Sequence, residues 1–274
     1  MIDRVLFPVD FSPSCASMAP FVDRAATMFK SSVTLLHVCD LTSYNGFELY
    51  VRSPQEIAET HLSVARDELE SFLALEFPQA TCRRILRSGD AATEIMDVAR
   101  TEEIDLIIIP THAGQFRRLV LGSTTAKVLA QVLCPVLTTK HAETIVPPPL
   151  DHRIWVCAVS LSSDSERVLS FASRAAATVG AKLSVIHVID EHDPIDTVEK
   201  SARRRMEKLC QKVGWEGERK IAVGSRKQAL LEAARSCNAD LIVIGRTLSS
   251  GPFDQIQGLS YELIRDSPCP VVSV

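Results

Sequence analysis

The chain has 274 residues, of which 46% are hydrophobic and 23% are charged, and its formal net charge is −4. At roughly 150 residues per domain this length predicts two domains, and the composition excludes a disordered or collagen-like chain. A net negative charge leaves no excess of Lys and Arg to neutralise a run of phosphates, so we expect no nucleic-acid partner.

The first residues, MIDRVLFPVDFS, contain charges and an early turn, a pattern that indicates neither a secretory signal nor a membrane span. The eight cysteines include no pair at the spacing of a zinc knuckle or a redox motif. Several of them, such as Cys157, lie in apolar strand-like runs and are expected to be buried thiols in a reducing compartment. We therefore expect a cytoplasmic protein that contacts no membrane.

The first β-branched runs belong to a unit that occurs twice in the chain. Val9-Asp10-Phe11-Ser12 aligns with Val159-Ser160-Leu161-Ser162 at an offset of 150 residues, whereas Gly89 aligns with Gly224 at an offset of 135. The repeat predicts two similar domains. The change of offset places a longer segment in the first copy, around residues 41–54, for which a lid, a dimer contact and an exposed loop are alternative interpretations.

The predicted domain boundaries follow from this repeat. Domain 1 is expected at residues 1–140 and domain 2 at residues 153–274. Residues 141–152 contain three consecutive prolines, which are typical of a stiff extended linker.

Each copy alternates β-branched runs with amphipathic helical stretches, a pattern that predicts a parallel sheet with helices on both faces. The expected fold class is therefore α/β, with two tandem doubly wound, Rossmann-like domains of five strands each. Ser12-Pro13 is a helix-start signal, and an apolar stripe continues the helix to Phe29, with a kink expected at Pro20. The strands of the first copy are predicted at residues 3–9, 33–39, 81–87, 104–110 and 135–140.

Ligands of an open parallel sheet bind outside the carboxyl ends of its strands, so the candidate residues are those that follow each strand. A Gly-Ser-Thr-Thr turn at residues 122–125 opens a helix, and its free amides and helix dipole suit a phosphate. Asp10 suits a ribose hydroxyl or, alternatively, an Asx-turn. His37 and His187 end equivalent apolar strands, which favours a packing role, whereas His112 lies nearer to the turn as a ligand contact.

At this point both copies resemble universal stress protein domains. The resemblance rests on residues 4–12, 35–38, 105–109, 121–123 and 134–137, with echoes in the second copy such as residues 185–188, 240–245 and 269–272. It implies five-stranded sheets, pairing of the two domains through their last strands, further homodimerisation and a stress-response role. In the ATP-binding branch it also implies a nucleotide held by a Gly-x2-Gly-x9-Gly-Ser/Thr loop.

The chain departs from that loop in both copies. In the first copy Pro110 and Ala113 replace the first two glycines, and Pro110 cannot donate an amide hydrogen. The second copy has Ser160 in place of Asp10 and lacks the Gly-Ser turn, with Arg246 as the only nearby cation that we identify. We therefore expect weak adenine-nucleotide binding in domain 1 and a degenerate site in domain 2.

Three functions are compatible with these residues. The first is a nucleotide-binding stress protein with ATP in domain 1, and with Mg²⁺ only when ATP is bound. The second is a scaffold that has lost nucleotide binding and acts through dimerisation or protein partners. An enzyme ranks last because the common nucleotidase and hydrolase motifs are missing, which leaves slow ATP hydrolysis at most.

We predict no catalytic and no metal-binding residue. The predicted binding residues are Pro8, Val9, Asp10, Val38, Thr111, His112, Gly114, Arg117, Arg118, Gly122, Ser123 and Thr124.

Overall fold

The computed structural model describes residues 1–41, 53–111, 121–140, 142, 146–191, 194–246 and 258–274. These residues form two compact units, which we call the first unit (Ile2–Val128) and the second unit (Leu129–Val274 with Met1). The predicted domain boundaries at residues 140 and 153 stay predictions.

The first unit contains a four-stranded parallel sheet in the order β3-β2-β1-β4. Consecutive residues of the central strand, Val5, Leu6 and Phe7, are all fully buried. Burial on both faces is expected for a parallel sheet that helices cover on each side. The elements are β1 (Arg4–Val9), α1 (Pro13–Ala16), α2 (Ala19–Phe29), β2 (Ser32–Cys39), α3 (Pro54–Ser71), β3 (Cys82–Ser88), α4 (Ala91–Thr101), β4 (Leu106–Ile108) and the start of α5 (Ser123–Gln131).

The second unit contains the strand order β5-β10-β9-β6-β7-β8. Strand β5, which closes the first sequence copy, pairs antiparallel with β10, and Leu137 lies opposite Val272. This is the pairing of last strands that the family resemblance implies. The elements are β5 (Val136–Thr138), β6 (Ile154–Ala158), α6 (Ser165–Val179), β7 (Lys182–Ile189), α7 (Ile195–Val213), β8 (Glu218–Val223), α8 (Arg226–Ser236), β9 (Leu241–Ile244), α9 (Leu259–Asp266) and β10 (Val271–Ser273).

The predicted α/β class with two Rossmann-like parallel sheets is confirmed, but one helix prediction is wrong. Ser12 caps α1 through its side chain, and Pro13 occupies the first turn, as expected. Pro20 does not kink a continuous helix, because α1 ends at Ala16 and α2 begins at Ala19. Pro20 therefore lies in the first turn of α2, where a missing amide hydrogen costs no helical hydrogen bond.

All eight cysteines are free thiols. Five are buried, and burial raises the pKa of three of them, Cys15, Cys157 and Cys269, to about 12. The expectation of buried thiols is confirmed for these five, whereas Cys39, Cys134 and Cys237 are partly exposed. Within the described ranges no helix is long and apolar enough to cross a membrane.

Candidate functional site

A cleft of about 380 Å³ lies at the carboxyl ends of the strands of the first unit. The crevice position is the one expected for an open α/β sheet. Its walls come from the ends of β1, β2 and β4 and from the starts of α4 and α5. The lining residues are Pro8, Val9, Asp10, Leu36, His37, Val38, Ala91, Ile95, Ile109, Pro110, Leu121, Gly122, Ser123, Thr124 and Thr125.

Asp10 is exposed at the end of β1 and organises the loop that follows. One carboxylate oxygen, Oδ1, accepts hydrogen bonds from the Ser12 amide at 3.0 Å and from the Ser12 hydroxyl at 2.6 Å. Between Asp10 and Ser12, Phe11 adopts a left-handed backbone with φ of 60°. The Asx-turn interpretation is therefore correct. Because both Ser12 hydrogen bonds use Oδ1, the second oxygen, Oδ2, keeps acceptor capacity for a ligand that enters the cleft.

His37 lines the same cleft and connects two strands. Its Nδ1 atom lies 2.8 Å from the carbonyl oxygen of Val9, and its ring stacks on Phe11 with 4.2 Å between ring centroids. Phe11 in turn packs edge-on against Phe72 at 5.4 Å. Because a carbonyl oxygen only accepts, Nδ1 carries the proton, and Nε2 of the neutral ring is an acceptor. These contacts agree with the packing role predicted for His37.

The Gly-Ser-Thr-Thr turn starts α5, but not all of its amides are free. The Gly122 amide donates to the Thr111 carbonyl at 2.7 Å, which contradicts the expectation that this turn presents only unbonded amides. The Thr125 hydroxyl donates to the Pro110 carbonyl at 2.9 Å and fixes the helix start to the end of β4. The amides of Ser123 and Thr124 precede the first intrahelical hydrogen bond and therefore remain the anion-binding donors of the turn.

The one cation within the sequence of α5, Lys127, is already paired. Lys127 Nζ lies 3.0 Å from Asp90 Oδ2, and Asp90 also accepts hydrogen bonds from the Thr93 amide and hydroxyl as the N-cap of α4. The Thr93 hydrogen bonds, followed by Lys127, lower the pKa of Asp90 to about 2. Lys127 therefore contributes less positive charge to the cleft than its position suggests.

Seven of the predicted binding residues line the cleft. They are Pro8, Val9, Asp10, Val38, Gly122, Ser123 and Thr124. Thr111 is buried and is not part of the lining. Its carbonyl oxygen accepts a hydrogen bond from the Gly122 amide. His112, Gly114, Arg117 and Arg118 lie outside the described residues, as does the first-copy insertion between residues 42 and 52. The role of each residue in binding stays a prediction.

One wall of the cleft was not predicted from the sequence. Ala91 and Ile95 reach it from α4, whereas the candidate residues came from the ends of the first, second and fourth strands but not of β3. The available signal was Gly89-Asp90 directly after β3, a turn and helix cap at the same edge of the sheet. Among the described residues no cluster of three or more His, Cys, Asp or Glu side chains has the arrangement of a metal site.

The second copy differs from the first at the corresponding edge of its sheet. Arg246 follows β9 and is buried, and its Nη2 donates to the carbonyl oxygens of Val132 and Cys134 at 2.6 Å each. Burial lowers the pKa of Arg246 to about 10. Burial lowers the pKa of His187, and the positive charges of Arg205 and Arg226 lower it further.

Comparison with known proteins gives consistent matches. Residues 1–140 and 152–274 match the sequence pattern described as the universal stress protein family. Universal stress protein A homolog 1 of Coxiella burnetii is 30% identical over 135 residues, which are 43% of this chain and 93% of that relative. A universal stress protein of Methanothermobacter thermautotrophicus is 29% identical over 112 residues, or 39% of this chain and 75% of that relative.

Solved structures support the fold. The crystal structure of a universal stress protein from Archaeoglobus fulgidus is similar with a TM-score of 0.74 and 23% identity, and the match covers 100% of this chain and 96% of that one. A putative universal stress protein from Pseudomonas aeruginosa is similar with a TM-score of 0.64 and 18% identity, covering 100% and 93%.

Proposed function

The chain belongs to the universal stress protein family, and on that premise we propose that the cleft of its first copy binds an adenine nucleotide. The proposed role of the protein is to sense or carry this nucleotide in a stress response. We do not assign a catalytic step to the cleft, and Mg²⁺ would enter only with ATP.

The observation that carries the proposal is the placement of Asp10 and the start of α5 in one cleft. The Oδ2 acceptor of Asp10 suits the hydroxyl groups of a ribose. The Ser123 and Thr124 amides open a nine-residue helix, and unbonded amides at a helix start suit a phosphate. The apolar side chains of Leu36, Val38 and Ile95 complete the lining and suit a base.

Two features support weak rather than tight binding. The Gly122 amide is already bonded to Thr111, and Pro110 has no amide hydrogen, so the loop provides fewer donors than a glycine-rich phosphate loop. Lys127, whose ammonium group pairs with Asp90, does not compensate for these losses. We therefore expect micromolar to millimolar affinity, with most of the phosphate contact at one phosphoryl group.

Isothermal titration of the intact chain with ATP and magnesium tests the proposal. We expect one site per chain, and we expect Gly122→Arg to abolish it because an arginine at this position fills the phosphate end of the cleft. The matched control is Gly258→Arg, which places the same side chain at the start of α9 in the second copy. That control should bind like the unmodified chain.

Two results would contradict this assignment. Two equivalent sites per chain would show that the second copy also binds nucleotide. No heat with ATP, ADP or AMP would favour the second candidate, a scaffold that acts through protein partners. The bonded Gly122 amide and Pro110 are the observations that favour that candidate.

The cellular location and further assembly are also proposals. Five buried free thiols support a reducing compartment, which we propose to be the cytoplasm. Homodimerisation rests on the family resemblance alone and is tested by the molecular mass of the protein in solution.

A further inference from the structure

We propose that the second unit binds a single-atom anion, namely chloride, beside the buried side chain of Arg246, where β5, β9 and β10 adjoin. The site uses none of the residues that line the cleft of the first copy. It therefore does not depend on the proposed function.

The guanidinium group of Arg246 is buried with most of its hydrogen-bonding capacity unused. The residue is 5% exposed, and its Nη2 atom donates to the carbonyl oxygens of Val132 and Cys134. Its Nε and Nη1 atoms are also buried, but they donate to no acceptor among the described residues. Buried donors without acceptors are costly, and native proteins contain few of them. These N–H groups therefore indicate a bound acceptor that is not part of the described chain.

Two buried hydroxyl groups have the same deficit. Thr138 and Ser273 are 0% and 1% exposed, and neither side-chain oxygen makes a hydrogen bond within the described part of the chain. The two residues are equivalent in the repeat, because they end β5 and β10 at the offset of 135 residues. The second unit therefore buries three unsatisfied polar side chains close to its β5–β10 strand pair.

The strand register places all three groups on one face of the sheet. Ser273 lies opposite Val136 of β5 and beside Ile244 of β9, and paired residues point to the same face. Thr138 is two residues from Val136, and Arg246 is two residues from Ile244. Because side chains alternate along a strand, Thr138 and Arg246 share the face of Ser273.

Backbone hydrogen bonds show that this ladder reaches Arg246. The Val274 amide donates to the Ile244 carbonyl at 2.9 Å, and the Arg246 amide donates to the Val274 carbonyl at 3.1 Å. The same Val274 oxygen accepts a hydrogen bond from Nη2 of Arg167 at 3.1 Å. A second guanidinium group therefore lies at the base of the Arg246 side chain and adds positive charge.

A negative ion satisfies the site better than a water molecule. Burial lowers the pKa of Arg246 to about 10, so the guanidinium is still charged at neutral pH. A buried charge is unfavourable unless an opposite charge compensates it. No carboxylate among the described residues forms an ion pair with Arg246 or Arg167. An anion supplies both the missing acceptor and the missing charge.

The free donors of Arg246 fit a single-atom anion and not an oxyanion. Phosphate and carboxylate groups bind a guanidinium through two parallel N–H bonds on one edge. Both hydrogens of Nη2 are used by the Val132 and Cys134 carbonyls, so each edge that includes Nη2 has only one free N–H group. Chloride accepts from isolated donors, and the Ser273 hydroxyl supplies another. We expect millimolar affinity.

Diffraction from crystals of the intact chain grown in sodium bromide locates the ion. Bromide replaces chloride and scatters anomalously, so we expect an anomalous peak within hydrogen-bonding distance of Nε or Nη1 of Arg246. Crystals of Arg246→Met should lack this peak, because methionine has similar length but no N–H donors. Density at the site without an anomalous signal would identify water and overturn the proposal.

Chlorine-35 NMR measures the affinity in solution. With gluconate keeping the ionic strength constant, the intact chain should broaden the chloride signal saturably, and Arg246→Met should weaken binding at least about tenfold. Ser273→Ala keeps the arginine and should weaken binding severalfold, which tests the site independently of how well Arg246→Met folds. The matched control is Arg203→Met, because Arg203 is exposed and pairs with Glu199, and it should bind chloride like the unmodified chain.

Three results in solution would contradict the site. The first is a chloride titration that Arg246→Met leaves unchanged. The second is displacement of chloride by equimolar sulfate, which would show that the donors fit an oxyanion. The third is binding only in Asp254→Asn, since Asp254 follows Arg246 in the sequence and its carboxylate would then be the counter-charge. Asp254 itself lies outside the described residues.

Discussion

The Nδ1 atom of His37 lies 2.8 Å from the carbonyl oxygen of Val9, and His187 keeps the same distance to Val159. In each copy this hydrogen bond ties the end of one parallel strand to its neighbour. The backbone of the crevice is therefore alike in the two copies, while the side chains around it differ in charge.

Asp10→Ser is expected to weaken nucleotide binding at least about tenfold without unfolding the first unit. The second copy shows that serine fits this loop, since the Ser162 amide lies 3.4 Å from Ser160 Oγ. The variant loses the carboxylate that we assign to the ribose, and a charged hydrogen bond contributes about 1.5–3 kcal/mol. Titration calorimetry measures the affinity, and urea unfolding checks the fold. Unchanged affinity would show that Asp10 does not contact the nucleotide. The matched control is Ser160→Asp, the reverse change at the equivalent position of the second copy.

Lys30→Gly should stabilise the chain by about 1 kcal/mol. Lys30 ends α2 in the left-handed conformation with φ of 58°, whereas the equivalent helix α6 ends at Gly180 with φ of 68°. A side chain in that conformation costs roughly 1–2 kcal/mol, part of which is offset by the greater freedom of glycine in the unfolded chain.

The reverse change, Gly180→Ala, should destabilise by a similar amount. Urea unfolding of both variants measures the effect. Lys30→Ala is the control, because it removes the charge but keeps the strained backbone, and its stability should match that of the unmodified chain. A gain with Lys30→Ala equal to that with Lys30→Gly would attribute the effect to the charge instead.

The stability of the chain should fall in acid partly through Asp90. Its pKa in the folded state, about 2, is lower than the ordinary value of 3.8, so ionised Asp90 stabilises the fold above pH 3.8. This contribution is lost as the pH falls from 3.8 to about 2. Asp90→Asn keeps a capping residue but cannot titrate, so its unfolding midpoint should decline less over that interval.

Thr93→Val should raise the pKa of Asp90 more than Lys127→Ala does. The Thr93 hydroxyl donates to Asp90 Oδ1 at 2.8 Å and is the largest cause of the lowered pKa, whereas the Lys127 contribution is smaller. Carboxyl NMR across the acid range measures both variants. The opposite ranking would show that the Lys127 ion pair, not the cap, dominates at Asp90.

Thiol reagents at neutral pH should divide the cysteines into two groups. Cys39, Cys134 and Cys237 are partly exposed and should react in the native protein. Cys15 and Cys157 are buried with pKa values of about 12, so they should react only at the rate of unfolding. Labelling with and without urea, followed by peptide mass spectrometry, measures this. Equal labelling rates for all thiols in the native protein would contradict this division into two groups.

Much of the architecture was predictable because its signals are local. Strand β1, observed at Arg4–Val9, lies within the predicted range 3–9, and Ser12-Pro13 starts a helix as its chemistry requires. The strand at Leu106–Ile108 is shorter than the predicted 104–110, since periodicity does not define where ladder pairing ends. The internal repeat also predicted two similar units, because it is visible as matched residues at an offset of 150 in the early part of each copy and of 135 in the later part.

The sequence by itself determined the repeat, the parallel α/β sheets and the candidate residues at the strand ends, because strand and helix patterns depend on neighbouring side chains. Tertiary structure alone decided which groups meet at the crevices. It bonded the Gly122 amide to Thr111, brought Ala91 into the same cleft as Asp10, and directed the buried Arg246 to the carbonyl oxygens of Val132 and Cys134. The physical reason is that a crevice is built from residues far apart in the chain, and a long arginine side chain takes its direction from the partners that surround it.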